Sequence, residues 1–106
     1  MKFVLIFFML AISLNASADK WHTDTIKMIY PLADGGFVLT FATFPTECTN
    51  GSKYFYTEIG QRSMTIEGAN KIYSLAMMAM STGKKLSINY DENSSSCYIN
   101  RAYVTN

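Results

Sequence analysis

The side chains of this chain that could do chemistry are few and far apart. His22 is the only histidine, and Cys48 and Cys97 are the only cysteines. Nucleophilic catalysis needs a histidine held in place by a third group. His22 lies close to the expected start of the exported chain, a poor place for such support. The carboxylates Glu47, Glu58, Glu67, Asp91 and Glu92 are scattered without the spacing of a motif. Paired acid/base work of the glycosidase kind is not expected in so short a domain. No glycine-rich phosphate loop occurs. Two cysteines with one distant histidine make a poor metal set. The expectation is a protein that is not an enzyme, with no catalytic residue, no metal and no cofactor.

The elements that would position any site begin after a leader. Lys2 precedes an apolar run from Phe3 to Leu14, and Ala16-Ser17-Ala18 is a small-x-small cleavage site. The run is too short for a membrane span, which needs about 20 apolar residues. Residues 1–18 are expected to be a signal peptide. Residues 19–106 are expected to form one domain of 88 residues, secreted or periplasmic, with no membrane span after cleavage. Without Lys2 that domain has eight basic and eight acidic residues. A nucleic-acid partner would call for a basic face and an anionic membrane for a basic amphipathic helix; neither is expected.

Export would place both cysteines in an oxidising compartment, where an even count reads as a Cys48–Cys97 disulfide. Closing a loop of about 50 residues is worth roughly 4 kcal/mol in the chain-entropy model, against a net stability of about 5–8 kcal/mol for a domain of this size. Free thiols, or ligation of a metal with His22, are the alternatives.

Turn residues divide the domain into short segments rich in strand formers. Strands are expected at 25–32, 37–44, 53–59, 85–91 and 97–104. Phe37 to Phe44 is apolar on both faces, so it should be covered on both sides. A helix is expected over 66–82, capped by Thr65, with Glu67 near its positive end and Gly83 at its stop. The order β-β-β-α-β-β makes the chain mainly β with one helix. It is the order of an OB-like small barrel; a small α+β sandwich with a meander is the competitor.

At about 100° per residue, Ile66, Ala69, Ile72, Tyr73, Leu75, Ala76, Ala79 and Met80 gather on one broad helix face, expected to be core. Met77 falls on its border and Met78 in the polar arc. Isolated exposed apolar residues are ordinary. Beside small Ser74, however, Met77 and Met78 could seat a neighbouring subunit. Tyr30, Tyr54, Tyr56, Tyr73, Tyr90, Tyr98 and Tyr103 offer flat apolar area with a polar tip, suited to sugar or protein surfaces. They are equally good strand residues.

The stretch "DKWHTD" after the leader, Cys48 in "PTECTNGSKYFY", and "ANKIYSLAMMAMSTGKKLSINY" from Ala69 to Tyr90 resemble the B subunits of bacterial AB5 toxins, the subtilase-cytotoxin and pertussis-like branch above all. Small secreted bacterial proteins share the same layout. The resemblance implies a homo-oligomeric ring, a pentamer, of OB-fold subunits that binds a cell-surface glycan and carries a catalytic A subunit. The helix of such a ring lies toward the pore, which would give Met77 and Met78 a partner. It assigns no glycan-contacting residue here. The alternative is a monomeric periplasmic or secreted protein acting by protein contact.

Overall fold

The computed structural model describes residues 19–46, 48, 51 and 53–106. The expected signal peptide at 1–18 lies outside them, as does Glu47. Six strands and one long helix follow in the order β1 (Asp19–Asp24), β2 (Ile26–Pro31), β3 (Phe37–Phe41), β4 (Phe55–Thr57), α1 (Ile66–Thr82), β5 (Leu86–Asp91) and β6 (Ile99–Tyr103). A short 3-10 turn, Gln61–Ser63, precedes the helix. Among the described residues no helix is long and apolar enough to cross a membrane.

Two antiparallel sheets form, β1-β5-β6 and β2-β3-β4. They are continuous in two places. β1 and β2 are separated only by Thr25 and act as one bent strand, whose first half pairs with β5 and whose second half pairs with β3. On the far side a parallel bridge joins Tyr56 to Tyr98. Counting β1 and β2 as one, the strands close in the order of a five-stranded OB-like barrel, with the helix between the third and fourth. The expected order therefore holds with one correction: the first strand starts at Asp19 and bends, rather than starting at Thr25.

The bend has a physical cause. Asp24 accepts hydrogen bonds from the amide of Thr25 (2.7 Å) and the amide of Thr43 (2.9 Å), and a third from the Thr43 hydroxyl. One carboxylate thus ties the bend to the segment that leaves β3. These charge-assisted bonds hold its pKa below the ordinary carboxylate value, the Thr43 hydroxyl being the largest cause.

The barrel interior is filled by Phe37, Leu39, Phe41, Phe55, Leu86, Ile88, Tyr90 and Ile99, all buried. Val38 is fully buried too, although it faces the opposite way along β3. Its cross-strand neighbours Tyr30 and Tyr56 account for the cover expected on both faces. Cys48 and Cys97 are bonded, with Cα atoms 5.9 Å apart, and both are buried in the core. The disulfide joins the β3–β4 loop to the approach of β6. In the β2–β3 turn, a side chain at Gly36 would place its Cβ 2.2 Å from the carbonyl oxygen of Thr57, so β4 can approach the turn only because that residue is glycine.

The helix starts and stops as its sequence predicts. Thr65 Oγ1 accepts from the Gly68 amide at 3.0 Å. At the other end Gly83 is left-handed (φ 74). The Lys84 amide bonds to the Ala79 carbonyl and the Gly83 amide to the Met80 carbonyl, the two bonds of a Schellman stop. The helix docks through Ala69, Ala76 and Ala79, all fully buried, with Tyr73 edge-on to Phe37 at 5.3 Å. Two expectations are corrected by this seam. Ile66 is 55% exposed and Met80 41% exposed, not core. Small alanines let the backbone come close to the barrel, which then covers a narrow arc and leaves the flank of the apolar stripe outside.

Candidate functional site

His22 is anchored to the segment leaving β3 and to the aromatic core. Its Nε2–H donates to the Thr43 carbonyl oxygen at 3.2 Å. Its ring stacks on Phe55 at 5.7 Å and meets Phe41 edge-on at 5.2 Å. The carboxylates with described bonds are occupied in structure. Asp19 takes both of its oxygens to Arg62 at 2.6 Å, which fastens β1 to the 3-10 turn, where Arg62 and Ser63 are both left-handed. Asp91 accepts from the Asn93 amide at 2.9 Å. Among the described residues no three His, Cys, Asp or Glu side chains stand together as metal ligands. The disulfide takes both thiols.

The surface features that could bind lie on the outer faces of the sheets and on the helix. Outside β2-β3-β4, Tyr30, Tyr54 and Tyr56 form a chain of edge-on rings, 5.7 and 5.9 Å between centroids. Desolvation, and then the hydrogen bond with Tyr54, raise the Tyr30 phenol above its ordinary pKa. Beside this cluster runs an open groove of about 950 Å³ along β2, β3 and the β3–β4 loop, with Lys27, Met28, Thr40, Phe44, Lys53 and Tyr54 on its walls. The tyrosines named from sequence are therefore divided: Tyr90 is core, Tyr73 packs the helix, and Tyr30, Tyr54 and Tyr56 share one face.

Outside β1-β5-β6, Trp21 and Tyr103 are 48% and 45% exposed, with ring centroids 5.2 Å apart. The Arg101 guanidinium lies 5.4 Å from the centre of the Trp21 ring. Sequence reading did not single out this group as a site, because its members come from opposite ends of the domain and no spacing links them.

On the helix, Met77, Met78 and Ser74 are exposed, as a contact surface requires. At about 100° per residue, Met77 lies with Ile66 and Met80 on one flank, alongside half-buried Tyr73. Met78 projects roughly a quarter-turn further round, with Ser74 between them. The apolar stripe left uncovered is thus Ile66, Met77 and Met80. A hollow of about 210 Å³ between Leu32, Gly35, Phe37, Asn70 and Tyr73 adjoins it.

No family model matches the chain, and no curated protein matches it by sequence. Among solved structures it is similar to the cholera toxin-like B-subunit from Citrobacter freundii, with a TM-score of 0.58 and 14% identity over 87% of this chain and 89% of that one. At that identity the likeness is one of fold. The resemblance to AB5 toxin B subunits read from the sequence is borne out at that level: the bent-strand barrel with a single helix is a toxin B-subunit fold.

Proposed function

We propose that the chain is a secreted or periplasmic binding subunit, not an enzyme, that assembles head to tail into a ring and recognises a cell-surface glycan. A pentamer that carries a separate catalytic A subunit is the finer form of this reading. The observation that carries it is a pair of unlike sheet edges. β2 ends one sheet and β6 the other; each has a full strand partner on one side only, and beyond the Tyr56–Tyr98 bridge that closes the barrel the outer side of β6 has no ladder among the described residues. Edges of this kind are templates for pairing with another chain. A β6 edge on a neighbour's β2 edge is a heterologous contact, and heterologous contacts close into rings when the rotation allows. The uncovered stripe Ile66, Met77 and Met80 supplies apolar area for the same neighbour. Buried cysteines joined in a disulfide suit an oxidising compartment. The outer aromatic faces, with lysine and threonine beside them, suit a saccharide.

The binding half of the proposal is tested by applying the oxidised chain to an array of mammalian glycans. Saturable binding to a related set of structures is expected, and it should survive His22→Ala wherever that variant folds. Binding to none of them would overturn glycan recognition and favour the monomeric reading, a small exported protein that acts by protein contact.

A further inference from the structure

β2 carries a bulge at Lys27. Ile26 pairs with Phe41 and Ile29 with Leu39, and all four belong to the core or pack against it. Between them Met28 pairs with Thr40, so Lys27 is the extra residue. In an unbroken register Met28 would face Leu39 and point inward. The bulge instead leaves two consecutive side chains, Lys27 and Met28, exposed on the outer side of β2-β3-β4.

A second backbone irregularity carries a second lysine. Lys53 is left-handed (φ 60), a conformation uncommon in a residue with a side chain and one that collects at ligand sites. Lys53 leads into β4 and Lys27 belongs to β2, with β3 running between those strands. Both lysines line the open groove of about 950 Å³, a volume typical of small-molecule sites. Neither forms an ion pair among the described residues. No Asp, Glu, Asn or Gln is among the described residues of its walls. The rest of the lining is largely apolar, with Met28, Ala42, Phe44 and the Tyr54 ring. The Thr43 hydroxyl is already given to Asp24.

We infer that this groove binds a small amphiphilic anion, a single-chain carboxylate of medium length. Two unpaired cations with no described carboxylate beside them complement an anionic head, and the apolar lining takes the chain. An extended peptide would instead seek the β2 edge, where main-chain pairing is on offer, and an anionic membrane surface calls for a larger cluster of basic residues. The site lies on the sheet face rather than along that edge, so it is independent of the ring and glycan readings.

The oxidised chain is titrated with octanoate, decanoate and octanol, all below micelle formation, by calorimetry and by amide NMR shifts. Decanoate should bind saturably, about tenfold more tightly than octanoate, the scale of two methylenes leaving water. Octanol, which lacks the charge, should bind about fivefold more weakly than octanoate. The shifts should centre on Met28, Thr40 and Ala42. Lys27→Gln and Lys53→Gln should each weaken octanoate about twofold, and the double variant should bring octanoate and octanol to parity. Met28→Asp, an exposed substitution that sets a like charge in the groove, should weaken decanoate at least about tenfold while circular dichroism shows the fold retained. Arg101→Gln, on the outer face of the other sheet, should change nothing; a loss equal to that of the lysine variants would reduce the effect to net charge and overturn the site. Shifts centred on Ile66, Met77 and Met80, with both lysine variants at wild-type affinity, would overturn it as well. Equal affinity for octanoate and octanol in the wild type would overturn the anionic head. The absence of saturable decanoate binding would overturn the inference whole, and capture by phosphatidylglycerol vesicles in that case would assign the two lysines to a membrane surface.

Discussion

Asp24 concentrates much of the local logic of the barrel in one side chain. Its three bonds hold the bend between β1 and β2 against the segment leaving β3. Because its pKa in the folded chain lies below the ordinary value of 3.8, the unfolded chain takes up the proton first as pH falls. Its contribution is complete above that value and is lost as pH drops through it and below. Thermal melts from neutral pH downward should therefore show a loss of stability that sets in near the carboxylate range. In Asp24→Ala that loss should be smaller, on a starting stability lower by about 1–2 kcal/mol. An unchanged acid profile would show that the carboxylate does not hold the bend. None of this was legible in the sequence: an aspartate before a threonine marks a turn, but its second partner, Thr43, is distant along the chain. Trp21 and Arg101 were hidden for the same reason. The Cys48–Cys97 pair was readable because composition alone leaves one intramolecular pairing.

Single elements were read well where their pattern is local. The helix limits followed from Thr65 and Gly83, and the buried strand β3 from its two apolar faces. β1 was not seen because "DKWHTD" carries no apolar stripe. Its pairing energy comes from β5, which supplies the hydrophobic row. Met80 and Ile66 were misplaced because a helical wheel gives the direction of the apolar face but not how wide an arc the barrel covers. That correction sharpens the contact surface. Met77→Lys and Met80→Lys should each leave the stability of the isolated subunit within about 0.5 kcal/mol of wild type while lowering the assembled mass. Met78→Lys, a quarter-turn away, should lower it less. If Met78→Lys alone dissociates the protein, the neighbour sits on the other flank, near Ser74. Gly36→Ala is a test internal to the fold. The clash with Thr57 should cost about 1–3 kcal/mol in urea unfolding, and a neutral result would mean that β4 does not approach the turn so closely.

For the whole molecule, mainly β with one helix and an OB-like closure were legible from the element order, because few barrels place one helix between the third and fourth strands. How the two sheets join was not, since a bent strand and a lone parallel bridge leave no mark in a period-two pattern. The disulfide is the covalent counterpart of that closure. The double variant Cys48→Ser, Cys97→Ser should lose roughly 4 kcal/mol, seen as a fall in the denaturant midpoint. A loss well below 1 kcal/mol would mean that the noncovalent barrel closes without it. The central claim is the proposal that this barrel is one subunit of a ring, its β2 and β6 edges pairing with those of neighbours. The most direct measurement is the mass of the oxidised, leader-free chain by light scattering on a sizing column. The account predicts a single discrete oligomer of about five chains, a closed ring in the sense of cyclic symmetry. A clean monomer at the highest attainable concentration would contradict it and leave the toxin B-subunit likeness as one of fold alone.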